Sequence, residues 1–320
     1  MNEKAYAKIN LSLDIVGRAD NGYHTLRMIM QSIGLHDDIE IEKLPYKGIE
    51  LCIRDERSMC FPWETHEEAA KRRDKLPVLC REDSGFIPDD RKNLMYRAAE
   101  LVIESCGLSH GVKMTLTKRI PSEAGLAGGS SDAAAVIRGI NRLYALGLTD
   151  KAMQELGKKI GADVPYCING GTALAEGIGD ILTKVPRRLY MHVLIIKPKQ
   201  GMSTPEAYAE YDRLAADKNA HIIYPDTDGV KYAAEENDAE RLFDSIGNVL
   251  EAVVEEKVPV ITKIKADLVR KGAGAACMTG SGTAVYGLFE SAEIMHAAAL
   301  SFAGCGYLDQ LSDVIETEFM

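Results

Sequence analysis

The chain lacks several features that would have defined it quickly. Its seven cysteines, Cys52, Cys60, Cys80, Cys106, Cys167, Cys277 and Cys305, form no C-x-x-C pair, so neither a zinc finger nor a dithiol redox centre is encoded. An odd, scattered set reads as the reduced thiols of a cytoplasmic protein. No apolar signal region follows Met1, and no uninterrupted apolar run approaches the roughly 20 residues that span a bilayer. No repeat, low-complexity tract or Gly/Ser linker divides the 320 residues, so boundaries have to be read from changes in periodicity. Positive charge is also in deficit: 38 basic against 48 acidic side chains leave a formal net charge of -10. That sign argues against a surface that coats nucleic acid or anionic lipid.

What is present suits a folded chain with a sizeable core. Hydrophobic residues make up 46% and charged residues 27%, far from the balance of disordered proteins. Residues 5–15 alternate, with Ala5, Ala7, Ile9, Leu11, Leu13 and Ile15 on one face and Tyr6, Lys8, Asn10, Ser12 and Asp14 on the other. This predicts a half-buried strand with a polar face. Shorter alternating runs, Asp38–Glu42 and Gly48–Arg54, predict a small antiparallel meander with residues 18–24 as a turn. Residues 54–92 are dense in charge and hold the single tryptophan, Trp63, with Pro62, Pro77 and Pro88, which predicts an inserted surface excursion with one short helix.

Order resumes at Asn93, a cap for a helix running to about Cys106 with Leu94, Ala98, Leu101 and Val102 as its stripe. A strand is expected over Val112–Lys118, a helix over Asp150–Ile160, a strand over His192–Lys197, and helices after Pro205, Asn237 and Pro259. Ala275–Phe289 is apolar and glycine-punctuated, and Ala292–Phe302 reads as a final helix. Mixed sheets with helices in two lobes, an α+β fold, is the expected architecture.

Between Ile120 and Ala135 lies a loop of small residues, Gly125-Leu126-Ala127-Gly128-Gly129-Ser130-Ser131, that feeds a helix. Such a loop aims backbone N–H groups at one point, and the helix dipole adds partial positive charge, so the place suits a phosphate. The bland alternative is a tight turn with Ser130 as an ordinary N-cap. No Gly-Lys-Ser/Thr follows the glycines, and no G-x-G-x-x-G follows a strand, which excludes a Walker loop and a dinucleotide fingerprint. A second cluster, Met278-Thr279-Gly280-Ser281-Gly282-Thr283, precedes an apolar strand, where a bulge or tight corner is the simpler reading. In Gly161-Ala162-Asp163-Val164-Pro165, the proline is expected to hold the preceding residues extended.

These segments, together with Ala7-Lys8-Ile9-Asn10-Leu11 and Gly22-Tyr23-His24, occur in an order that resembles the small-molecule kinase superfamily of galactokinase, homoserine kinase and mevalonate kinase. Within it, the Ala-Lys-Ile-Asn strand, the Gly-Tyr-His turn and the Gly-Ala-Asp-Val-Pro segment resemble the branch acting on a cytidine diphosphate-linked methylerythritol. The likeness covers nearly the whole chain except about residues 54–90. It implies a two-lobed fold with ATP at the glycine-rich loop between the lobes, residues 1–175 forming the ATP-binding lobe and 176–320 the second. It implies transfer of the γ-phosphoryl group of Mg²⁺-bound ATP to the 2-hydroxyl of that small molecule, in the non-mevalonate supply of isoprenoid precursors. A monomer or homodimer without nucleic-acid or membrane partners is expected.

By the same resemblance, Asp163 is the base for the alcohol, and Lys8 holds Asp163 ionised and offsets charge on the transferring group. Asn10 bonds the erythritol portion. His24 reads the cytosine edge beside Tyr23, and Thr204 and Tyr208 supply a substrate-contacting hydroxyl and a stacking ring. Thr204 also reads as an N-cap, with Pro205 at the first helical position. Asn93 and Lys118 fall near the adenine, and Pro121, Gly125, Leu126, Ala127, Gly128, Gly129, Ser130 and Ser131 surround the phosphates. Three residues depart from the family pattern: Ser122, Glu123 and Thr283. An acid beside a phosphate loop is unfavourable if it faces the anion, so Glu123 is expected to turn outward or toward a cation. Two other readings compete: another sugar or polyol kinase of the superfamily, and a sensor that binds ATP and ligand without catalysis. Intact Lys8 and Asp163 argue against the sensor.

Overall fold

The computed structural model describes residues 1–19, 22–57, 87–217, 222–304 and 310–320. The N-terminal segment forms β1 (Asn2–Arg18), which turns back into the long antiparallel partner β2 (His24–Lys43). Next come β3 (Ile49–Asp55), α1 (Leu94–Ser105), β4 (Val112–Lys118) and α2 (Gly128–Leu143). Then α3 (Asp150–Lys158) and the short α4 (Val164–Asn169) lead into the hairpin β5 (Thr172–Glu176) and β6 (Ile181–Lys184). The remainder runs β7 (His192–Pro198), α5 (Thr204–Ala215), α6 (Thr227–Glu236), α7 (Ala239–Ser245), β8 (Gly247–Asn248), α8 (Glu251–Lys257), α9 (Val260–Arg270), β9 (Ala275–Met278), β10 (Val285–Phe289), α10 (Ala292–Gly304) and β11 (Leu311–Glu318). Among the described residues no helix is long and apolar enough to cross a membrane.

Two sheets result, in the expected α+β arrangement. One has the order β3-β4-β2-β1-β8 with the β5–β6 hairpin attached to β2, and the other has the order β11-β7-β10-β9. The expected boundary at 175/176 falls inside β5, before its last residue Glu176, and β5 pairs with β6 within the first sheet. Helices α1 and α2 cover one face of that sheet: Met95, Ala98, Val102, Val136, Ile137 and Ile140 bury against Met30, Ile39, Ile41 and Met114. The other core joins the two sheets, with Ala7, Ile9, Leu11, Ile29 and Ile33 meeting Val193, Ile195, Tyr286 and Leu288.

Several expectations change. The strand β3 does not extend the β1–β2 meander but pairs in parallel with β4. The edges of β2 are already taken by β1, β4 and β5, so the outer edge of β4 is where Ile49–Asp55 can satisfy its backbone. The strand β1 is not half-buried either: Lys8, Asn10 and Ser12 of its polar face are as covered as its apolar face. Register shifts between Tyr6 and Lys8, Asn10 and Ser12, and Ile15 and Gly17 break strict alternation, as bulges do. In consequence Ala5 and Leu13 join one core while Ala7, Ile9 and Leu11 join the other.

In α1 the Asn93 cap forms as expected, accepting from the Met95 N–H at 2.9 Å, but Met95, Ala99 and Ile103 share the buried stripe while Leu94 and Leu101 lie at its margin. The expected excursion with Trp63, Pro62 and Pro77 lies outside the described residues. Cys52, Cys106, Cys167 and Cys277 are free thiols.

Candidate active site

The glycine loop enters α2 without a side-chain cap. Ala127 takes the N-cap position in the left-handed region, with φ 56° and no capping hydrogen bond, and Ser130 is the third helical residue rather than the cap. The first bond of the helix runs from the Ser131 N–H to the Ala127 carbonyl at 2.9 Å. The N–H groups of Gly128, Gly129 and Ser130 therefore point out of the helix end with no intrahelical acceptor, on a 16-residue helix whose dipole favours an anion there. Ser130 lines the adjoining cavity, whereas Ser131 is buried and donates its hydroxyl to the Tyr6 carbonyl at 2.7 Å.

The two glycine clusters stand back to back. Gly125 has φ 71°, and a Cβ there would meet the Thr279 carbonyl at 2.1 Å. The hydroxyl of Thr279 accepts from the Asn10 N–H at 3.0 Å, and Asn248 Nδ2 donates to the Met278 and Gly280 carbonyls at 3.0 and 2.8 Å. The late cluster, in the β9–β10 connection, thus braces the phosphate loop instead of forming a bare corner.

Lys8 and Asn10 reach the same cavity from β1. The Lys8 ammonium donates to Asn10 Oδ1 at 2.7 Å and to the Gly125 carbonyl at 2.8 Å, leaving one of its three N–H groups uncommitted. Among the described residues Asn10 Nδ2 has only the Met28 sulfur, at 3.2 Å, a weak acceptor. Asp163 lines the cavity, half-buried, with no hydrogen bond or ion pair to its carboxylate among the described residues. The structure does not place it in an extended stretch: it is the αR N-cap of α4, with Val164 and Pro165 in the first turn, where a missing N–H is harmless. Lys8 is tied to the loop, with no direct pair to Asp163. A Cβ on Gly161 would sit 3.9 Å from Ser130 Oγ, so the aspartate's segment borders the phosphate loop.

The cavity, about 920 Å³, continues to a second end lined by Tyr23, His24, Thr204 and Tyr208. His24 stacks on Tyr208 with ring centroids 4.9 Å apart and bonds Asp212 through Nε2 at 2.7 Å. Asp212 also takes the Arg18 guanidinium. Tyr23 is 64% exposed at the rim. Burial and the nearby Asp163 push the Tyr208 hydroxyl up to about 12. The cap of α5 is Ser203, not Thr204, which lies one residue inside with Pro205 next. Freed from capping, the Thr204 hydroxyl meets Ser281 Oγ at 2.8 Å.

Asn93 and Lys118 are committed elsewhere. Both ends of the Asn93 amide serve the chain, Oδ1 the Met95 N–H and Nδ2 the Pro88 carbonyl at 2.7 Å, and Asn93 does not line the cavity. Lys118 reaches the cavity wall but donates to Asp37 and Asp132, each at 2.6 Å, in a cluster that is otherwise buried. Burial opposes the Lys118 charge, yet the two carboxylates outweigh it and raise its pKa. Burial, with Asp37 adding to it, pushes the Asp132 carboxyl well up against the pull of Lys118.

The departures acquire partners. The Ser122 hydroxyl accepts from the Arg57 guanidinium, itself paired with Asp55. The Thr283 hydroxyl donates to the Gln200 carbonyl at 2.7 Å and accepts from the buried Lys197 ammonium at 3.0 Å. Glu123 is exposed on the rim, where its carboxylate lies over Gly201; burial lowers the pKa of the Lys197 ammonium, and Asp313 and then Glu123 oppose that shift. Asp37, Asp132 and Asp212 were not singled out from the sequence. Asp132 alone carried a signal, as the acid that directly follows the Ser-Ser pair.

The comparisons fall on the same regions. The profile of the "GHMP kinases N terminal domain" matches residues 93–171, and that of the "GHMP kinases C terminal" matches residues 230–304. A 4-diphosphocytidyl-2-C-methyl-D-erythritol kinase of Acetivibrio thermocellus is 40% identical over 301 residues, covering 94% of this chain and 93% of that one. One from Caldicellulosiruptor saccharolyticus is 42% identical over 286 residues, covering 89% and 87%. Among solved structures, a 4-(cytidine 5'-diphospho)-2C-methyl-D-erythritol kinase superposes with a TM-score of 0.75 at 25% identity, covering 100% of this chain and 99% of that one. A homoserine kinase from Cytophaga hutchinsonii shares the fold, with a TM-score of 0.70 at 16% identity over 100% of this chain and 94% of that one.

Proposed function

Because this chain belongs to the family of 4-diphosphocytidyl-2-C-methyl-D-erythritol kinases, within the GHMP kinases, we propose that it transfers the γ-phosphoryl group of ATP to the 2-hydroxyl of 4-diphosphocytidyl-2-C-methyl-D-erythritol. The products are the 2-phosphate and ADP. The observation that carries this reading is the single cavity whose one end is a helix N-terminus, whose other end is an aromatic and imidazole cluster, and whose middle holds Lys8, Asn10 and Asp163. An extended molecule with a base at one end and an alcohol at the other fits that layout.

Phosphoryl transfer asks the protein mainly for positioning and for charge stabilisation. The exposed N–H groups of Gly128, Gly129 and Ser130 hold the phosphates of the nucleotide. The unpaired Asp163 carboxylate accepts the proton of the tertiary hydroxyl as its oxygen attacks. Lys8, fixed by Asn10 and by the Gly125 carbonyl, places an ammonium where charge develops and links the alcohol's side of the site to the loop. Asn10 Nδ2 is free to hold a substrate oxygen.

Among the described residues no group of three or more His, Cys, Asp or Glu forms a metal cage. Mg²⁺ would arrive on the nucleotide and needs one or two protein oxygens beside the phosphates. Ser130 Oγ, which lines the cavity, would provide one. The ion would neutralise the charge of the phosphates.

At the far end, Tyr208, Tyr23 and His24 take the base, and Thr204 an oxygen of the substrate. The formal charge of -10 does not oppose two polyphosphate ligands, since the attraction is local and made by backbone, ion and lysine. The protein functions in the cytoplasm.

Coupled ADP-release assays with the cytidylated substrate, mevalonate, homoserine and galactose test the reading; turnover of another alcohol and none of the cytidylated one would refute it. In the same assay Asp163→Asn is expected to lower kcat by about 10²–10⁴ with ATP binding nearly unchanged, and unaltered turnover would remove Asp163 from the mechanism.

A further inference from the structure

The Asp37–Lys118–Asp132 cluster is an expensive thing to bury. Lys118, Asp37 and Asp132 have side chains 6%, 0% and 5% exposed, and two acids with one lysine leave the group short of a counter-charge. Such a cluster persists when its geometry is used. Its connections show where. One oxygen of Asp37, on β2, accepts the N–H groups of Arg119 and Ile120, the latter at 2.9 Å, and its other oxygen accepts the Lys118 ammonium. Arg119 and Ile120 lead into the connection, Pro121–Ala124, that carries the glycine loop. The same ammonium reaches Asp132, on the second turn of the helix that the loop enters. A Cβ on Gly128 would lie 3.0 Å from Lys118 Nζ, so the ammonium is packed against the first helical residue.

We propose that Asp37, Lys118 and Asp132 are positioning residues for nucleotide binding: one buried lysine, anchored on β2, clamps the start of the glycine loop and the helix at its end into the spacing that receives the phosphates. This rests on the kinase reading above. Asp37 and Asp132 do not line the cavity, Lys118 borders it, and the hydrogen bonds that Lys118 and Asp37 make are with the chain itself. Its effect runs through the backbone between Pro121 and Ser130. The loop has few hydrogen bonds of its own and must keep three N–H groups aimed outward, so its shape depends on how its ends are held. The base end of the cavity is held by other contacts, through Asp212.

Steady-state kinetics on the full-length enzyme distinguish this from a purely structural role. Lys118→Met is expected to raise KM for ATP about tenfold or more while KM for the cytidylated alcohol moves less than about twofold, the split expected when only one ligand's site is deformed. Asp37→Asn, which keeps the shape and an oxygen for the backbone N–H groups but turns an NH2 donor toward the Lys118 ammonium, is expected to give the same split at about three- to fivefold. A folded Lys118→Met with KM for ATP within about twofold of the parent, or with both KM values raised alike, overturns the clamp. Should Lys118→Met not fold, Asp37→Asn carries the test by the same criterion. A parent enzyme that neither binds ATP nor transfers phosphate overturns the kinase reading and the clamp together, whereas an active parent with unsplit variants overturns the clamp alone.

Discussion

The two ends of the cavity are built from different materials. At the phosphate end the functional atoms belong to the backbone, and side chains act chiefly by being small: Gly125 passes under Thr279, and Gly128 rests on Lys118. At the base end the functional atoms are side chains held by other side chains, Tyr208 on His24, His24 on Asp212, Asp212 on Arg18. The first kind of site is unforgiving of added bulk and indifferent to side-chain chemistry. In the second, contacts can be removed singly, each with a graded effect on one ligand.

The contrast can be tested in order of expected effect. Gly125→Val would place a branched side chain against the Thr279 carbonyl at positive φ, and a loss of about 3 kcal/mol or more in urea unfolding is expected from overpacking and backbone strain combined. A loss under about 1 kcal/mol would mean that the two glycine clusters part easily and the phosphate end is not backbone-limited. Asp212→Ala frees the His24 ring, and KM for the alcohol substrate is expected to rise about tenfold with KM for ATP unmoved, the equivalent of one lost charge-assisted hydrogen bond. An equal rise in both would show the ends to be coupled. Tyr208→Phe keeps the ring over His24 and removes only the hydroxyl; both KM values are expected within about twofold of the parent, since the stacking face is retained. A larger change would show that the base end works through that hydroxyl.

The same contrast explains what the sequence disclosed. The phosphate end was legible because backbone sites leave a local trace: glycines and serines crowd into one run, and the strand and helix flanking them have plain periods. The β4 strand, Val112–Lys118, was read to the residue, as its alternation is unbroken. The burial of Lys8 and Asn10 was not legible, because their partners, Gly125 for Lys8 and Thr279 for Asn10, lie far along the chain. Nor was the partnership of β3 with β4, which depends on which sheet edge stays open. The helix beginning at Val164 was missed because Pro165 reads as a breaker unless the first turn is recognised around it. Asp212 gives no signal in a charged helix; only the approach of His24 across the cavity distinguishes it.

The hydrogen bond from Asn10 to Thr279 joins residues 269 positions apart. Lys8 and Asn10 emerge early from the ribosome, and at ordinary elongation rates on the order of tens of seconds pass before Thr279 follows. Until then the inward polar face of β1 has water where its brace will be, and the phosphate loop, though synthesised, has nothing behind Gly125. Closure of the site is therefore a late event in the life of each new molecule. A chain cut short before the β9–β10 connection would own every residue of the proposed chemistry and still be unable to hold them in place.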